Sequence, residues 1–197
     1  MTRLREQLGV LVAIAAAVCA YAAVAQDVAS AETAAPGATA TATKREEGGG
    51  AMKDRTGPFW DGVAGRAPIP RAAASLGFEF VDADIEKGTI QVAFQATDAF
   101  TTPLGDVLGG FLSAMLYDTV GPAVLATLRP DEFIQTIEEK TSFLRPAKPG
   151  RLVGRGRILH REGDLAFVEA SLESADGVVV ATSTATIRVV PLPKRKP

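Results

Sequence analysis

The chain has 197 residues, 47% of them hydrophobic and 22% charged, with a net charge of −2, which fits one ordinary domain with a sizeable core and an appendage. Near-neutral charge without a basic, aromatic-interleaved stripe gives no electrostatic case for nucleic acid. One Cys and one His exclude a disulfide framework and a Cys/His zinc site, so no metal is expected, and carboxylates, hydroxyls and backbone amides must carry the chemistry.

Residues 1–51 differ in kind from the rest. Arg3 and Arg5 precede an apolar run from Leu8 to Ala25 that closes on Ala23–Val24–Ala25. That is the layout of a secretory signal peptide over residues 1–25, while the run also sits at the short limit for a membrane anchor. A third reading starts translation at Met52 and makes the preceding residues a spurious extension. The readings differ in location: exported for a signal peptide, cytoplasmic for a start near Met52. Residues 26–51, rich in Ala, Thr and Gly, read as a disordered linker. Residues 52–197 then form the domain, with no membrane partner of their own.

Pro58 to Val63 starts a short helix that Pro68 and Pro70 break. Phe78–Ile85 and Thr89–Thr97 read as two strands joined at Glu86–Lys87–Gly88; Ile90, Val92 and Phe94 alternate with Gln91, Ala93 and Gln95, the period of a half-buried strand. Val107 to Leu128 is the one long helix, apolar all round its cylinder and therefore expected to be buried. Gly121–Pro122 is expected to kink it or end its regular part. Four strands follow, at Phe133–Leu144, Arg151–His160, Leu165–Ser174 and Val178–Val190, with hairpin signals at Glu162–Gly163–Asp164 and Asp176–Gly177. Strand, strand, buried helix and four strands predict an α+β domain in which one antiparallel sheet wraps around a central helix, the hot-dog arrangement.

The stretch Phe100–Thr101–Thr102–Pro103–Leu104–Gly105–Asp106–Val107–Leu108–Gly109–Gly110–Phe111, with Phe143–Leu144–Arg145–Pro146–Ala147 and Gly150, resembles the PaaI-like acyl-CoA thioesterases. Their pattern is F-x-N-x-x-G-x-x-H-G-G, an acid on the helix nine residues past the His, and later F-x-R-P. The resemblance spans nearly all of Met52–Leu192. It implies hydrolysis of acyl-CoA thioesters in a homodimer or homotetramer, with no cofactor beyond the CoA of the substrate. Gly109 matches the glycine whose amide polarises the thioester carbonyl, and Thr136 matches a Ser or Thr that positions water. Other positions depart from the pattern. Thr102 stands for the Asn, Leu108 for the His, and Tyr117 for the acid, with Asp118 one residue later.

Glycine amides at a helix N-terminus are unpaired donors at the positive end of the dipole and stabilise an oxyanion. Gly109 and Gly110 fit that role, and Asp118, the only ionised side chain on the helix, fits the base, its pKa raised by burial. Each has a plainer reading: tight packing for the glycines, a backbone bond or a cation at an oligomer interface for Asp118, a core aromatic for Tyr117. Arg145 and Lys148 would meet CoA phosphates or simply face solvent, and His160 beside a hairpin is exposed. The losses at Thr102, Leu108 and Tyr117 motivate a second hypothesis, a weakened hot-dog protein that binds acyl-CoA or acyl chains without turnover. A hot-dog dehydratase or hydratase is a third, but no His–Asp pair supports it.

Overall fold

The structure, a computed structural model, describes residues 55–192; the expected signal peptide or extension and the linker lie outside the described residues. Helices α1 (Pro58–Val63) and α2 (Arg71–Ser75) lead into strands β1 (Glu79–Asp84) and β2 (Thr89–Ala96). Helix α3 (Gly109–Leu125) follows, then β3 (Glu132–Phe143), β4 (Gly150–Glu162), β5 (Leu165–Glu173) and β6 (Val179–Pro191). Helix α2 is absent from the sequence expectation; Pro70 stands at its N-cap, so the proline that ends one helix sets up the next.

All six strands form one antiparallel sheet in the order β1-β2-β4-β5-β6-β3, with α3 packed across β4 and β5. This is the predicted hot-dog architecture. Strands β2, β4, β5 and β6 alternate inward apolar residues with outward polar ones. Leu112, Met115, Leu116, Thr119, Val120, Ala123 and Val124 form the buried face of α3, against Phe94, Leu152, Val168, Leu172 and Ile187. Each such fully buried large side chain contributes about 1.5–3 kcal/mol of burial free energy. On β4, Gly154 and Gly156 let the helix approach: a Cβ on Gly154 would lie 2.3 Å from Thr119 Oγ1, and one on Gly156 3.1 Å from the Thr119 carbonyl. Trp60 of α1, 2% exposed, donates its indole N–H to the Ala126 carbonyl at 3.2 Å and so ties α1 to the end of α3.

Two expectations for α3 are corrected. Of the two outcomes expected at Gly121–Pro122, the regular part does not end there: the helix runs on to Leu125 and the Ala126 amide still bonds the Pro122 carbonyl. Proline removes only the donor to the Asp118 carbonyl, and packing of Ala123 and Val124 holds the turn. Nor is the helix buried all round. Gly110 and Tyr117 are exposed and Ala114 and Asp118 half-buried, a stripe on the side away from the sheet.

Candidate active site

The segment before α3 fixes where the helix begins. The Val107 amide donates to the Ala147 carbonyl at 2.7 Å and the Leu108 amide to the Phe100 carbonyl at 2.9 Å. Phe100 stacks on Phe111 with ring centroids 4.1 Å apart. The turn between them closes through the Thr102 amide on the Asp106 carbonyl at 2.7 Å, and Gly105 takes the left-handed conformation (φ 79°) that the turn needs. Thr102 thus serves the loop through its backbone.

Leu108 is the N-cap of α3 and supplies no side-chain cap; its own side chain is 50% exposed. Phe111 and Leu112 donate back to the Leu108 carbonyl, whereas the Gly109 and Gly110 amides have no acceptor among the described residues. Two unpaired donors at the head of a 17-residue helix are suited to a developing oxyanion. The two glycines differ in what surrounds them. A Cβ on Gly109 would meet the Phe143 ring at 3.1 Å, while one on Gly110 would meet nothing within 4 Å.

Farther along α3, Tyr117 is 48% exposed and Asp118 half-buried. Burial raises the Asp118 carboxyl above its ordinary value. Asp118 makes no ion pair among the described residues. Thr136 is half-buried on β3, its Oγ1 buried and without a hydrogen-bond partner.

The other sequence candidates lie apart. Arg145 is exposed and donates to the Val179 carbonyl at 2.9 Å; Lys148 pairs with Asp106 at 2.7 Å. His160 is exposed, 3.8 Å from Glu162 and stacked on Phe167. No cluster of His, Cys, Asp or Glu able to hold a metal occurs among the described residues, and none of their helices is long and apolar enough to cross a membrane. A concavity of about 820 Å³ lies on the opposite, outer face of the sheet and is lined by groups such as Gln91, Arg155, Arg157 and Glu169. Its arginines are already paired, Arg155 with Glu173 and Arg157 with Glu169. The unpaired donors and the desolvated acid are on the helix side.

Glu139 was missed from the sequence. A bulge between Thr136 and Glu138 shifts the β3–β6 register, so that Thr136 pairs with Ile187 but Glu139, not Glu138, is next to pair with an inward residue, Ala185. Strict alternation from Thr136 would have turned Glu138 inward. Burial raises the Glu139 carboxyl too, and nearby Ser183 draws it partly back without reaching hydrogen-bond geometry.

Residues 104–181 match the thioesterase superfamily. Among solved structures, a phenylacetic acid degradation-related protein from Ralstonia eutropha JMP134 is 42% identical, with a TM-score of 0.64, over 66% of this chain and 98% of that one. A thioesterase family protein from Silicibacter pomeroyi is 24% identical (TM-score 0.59; 68% of this chain, 99% of that one). The PaaI protein of the E. coli phenylacetic acid degradation operon is 15% identical (TM-score 0.60; 68% and 96%). The last two show the fold alone. No curated protein matches the chain. With the Ralstonia relative covered almost end to end at 42% identity, and the strand order, central helix and Gly109–Gly110 head in place, the chain belongs to the thioesterase superfamily, among its PaaI-like hot-dog members.

Proposed function

We propose that this chain hydrolyses acyl-CoA thioesters to the free acid and CoA, at a site shared between two protomers. The observation that carries the reading is the pair of unpaired amides at Gly109 and Gly110, on a helix head left open at Gly110, which suit a thioester oxygen that gains charge. Asp118 is the base: it takes a proton from water, whose oxygen adds to the carbonyl carbon. Collapse of the intermediate breaks the C–S bond and the thiolate recovers the proton. Leu108 and Tyr117 line the approach as exposed side chains, with Thr136 as water ligand and Arg145 as a contact for CoA.

One helix does not serve both ends of this reaction. Gly110 and Asp118 are eight residues apart, roughly 12 Å along the axis, and the helix continues through Pro122. A reacting carbonyl must lie about 3 Å from its donors and within reach of the acid. A two-fold partner with its helix antiparallel brings the two groups together twice. Supporting this, β3 is an edge strand of 12 residues. Phe133, Ile137 and Phe143 on it are 38%, 55% and 55% exposed, an uncovered apolar edge of the kind a second copy covers.

The test is a panel of acyl-CoAs with a thiol reagent, on the full chain and on Asp118→Asn. Turnover that falls at least about 100-fold in the variant supports the reading; binding without turnover by the unaltered chain replaces it with a carrier or sensor of acyl-CoA. Mixing Asp118→Asn with Gly110→Val subunits, where the added side chain has room to fold, regains part of the activity if sites are shared. No recovery in verified mixed dimers defeats the shared site.

A further inference from the structure

Strand β3 turns Ile134, Thr136, Glu139 and Thr141 toward α3, and three anchors place it along the helix. A Cβ on Gly109 would touch the Phe143 ring at 3.1 Å, Ser113 Oγ donates to Thr141 Oγ1 at 2.9 Å, and a Cβ on Gly121 would reach Ile134 at 3.3 Å. Glu139 and Thr136 fall between the last two anchors, level with the turn that carries Tyr117 and Asp118. Here Thr136 Oγ1, Glu139 Oε1 and Ser183 Oγ are all buried without a hydrogen-bond partner, and Ser183 is only 3% exposed. Buried polar atoms are nearly always paired, so an orphaned group of this kind points to a water or substrate atom that completes it.

The helix geometry decides which side each acid occupies. Ser113 reaches β3, and Tyr117, one turn on, lies on the same side; Asp118 is about 100° farther round. The exposed stripe of Gly110 and Ala114 runs between them. A water seated over that stripe therefore has Asp118 on one flank and Glu139 with Thr136 on the other, with the carbonyl docked above it. Tyr117 occupies the helix position where the family's acid belongs, and the β3 bulge sets a carboxylate beside it.

We propose that Glu139 is a further catalytic residue of the hydrolysis, holding the attacking water together with Thr136. This rests on the thioester-hydrolysis reading above. One water O–H donates to Glu139 Oε1 and the other to Asp118, while the Thr136 hydroxyl donates to the water oxygen. That grip aims the remaining lone pair at the carbonyl carbon. Asp118 takes its proton as the C–O bond forms, the oxyanion rests on glycine amides from the other protomer, and the C–S bond breaks. The thiolate then takes the proton from Asp118; Glu139 stays ionised throughout.

The titratable groups on the elements packed around Glu139 are Tyr117 and Asp118 on α3. Strand β6 offers none inward there, and Glu138 and Lys140 flank it on the opposite face of β3. With both carboxyls raised by burial, activity needs two deprotonations. The acid limb of log kcat against pH should therefore rise with a slope of about two.

The experiment compares kcat, KM and the pH profile of the full chain with those of Glu139→Gln and Glu139→Met. The expected result is a roughly tenfold fall in kcat with little change in KM for Gln, smaller than the range for a group that itself moves the proton. The acid limb should drop to a slope near one in both variants. Methionine removes the acceptor while filling the space, so it keeps the test usable if glutamine disturbs packing. Unchanged kcat and an unchanged acid limb in either folded variant overturn the role of Glu139 and leave the hydrolysis standing. No turnover of any acyl-CoA by the unaltered chain overturns both.

Discussion

Gly154 and Gly156 on β4 and Gly110 at the head of α3 are the same residue type at the same helix, under opposite conditions. A methyl group at Gly154 would sit inside the Thr119 side chain, whereas at Gly110 it would meet open space. The first pair is fixed by packing within the chain, since the sheet could not close on the helix without it. Nothing inside the chain requires glycine at 110, so the reason for it lies in what approaches from outside: a carbonyl, a second helix, or both.

The largest effect that would sharpen this contrast is expected at Gly154. Gly154→Ala should lose about 3 kcal/mol of stability in chemical denaturation, the upper end of ordinary overpacking, because its Cβ would stand 2.3 Å from Thr119 Oγ1. Adding Thr119→Ala should recover part of that loss. A change below about 1 kcal/mol would mean that α3 lifts from β4 more easily than core packing normally allows.

Gly110→Ala should act the other way round. Replacing a helical glycine with alanine stabilises by roughly 0.5–1 kcal/mol, and here no neighbour opposes the methyl. Turnover should nonetheless drop at least about tenfold, as expected when a reacting group is displaced by an ångström or less. A variant that gains stability and keeps full activity would show that the helix head is open for no chemical reason.

A smaller effect separates function from folding at Asp118. Its folded pKa is raised by burial above the reference value of 3.8, so between those two values the native state holds more protons than the unfolded chain. Stability from this group is therefore present at low pH and lost as pH rises through that window. Asp118→Asn removes the loss. Its Tm should equal or exceed that of the parent at neutral pH, and the difference should vanish below the unfolded pKa. A variant less stable at pH 7 would give the carboxylate a structural partner.

The strands and the long helix were legible because period-two alternation and hairpin glycines are local signals, and each strand boundary shifted by two residues at most. The exposed stripe on α3 was not. Gly110, Ala114 and Tyr117 are no more polar than the buried positions, and sequence alone does not distinguish apolar surface covered by the chain's own sheet from surface left for another molecule. The helix does not end at Pro122 for a related reason: the missing amide disrupts one bond, and packing of the turn outweighs it. Family motifs drew attention to Asp118 as the candidate acid. Glu139 stayed hidden because the bulge at Ile137 has no local signature, and one extra residue exchanges which of two adjacent glutamates faces the helix.

Trp60 is the only tryptophan in the chain, is 2% exposed, and bonds the carbonyl at the far end of α3. The protein thus carries its own optical gauge. An indole sealed among Phe59 and Phe80 emits at shorter wavelength than one in water, and its spectrum will move only when the seat at Ala126 opens. Fluorescence from this one side chain therefore follows the end of the helix remote from the glycine head, without a label and without touching the groups assigned to the reaction.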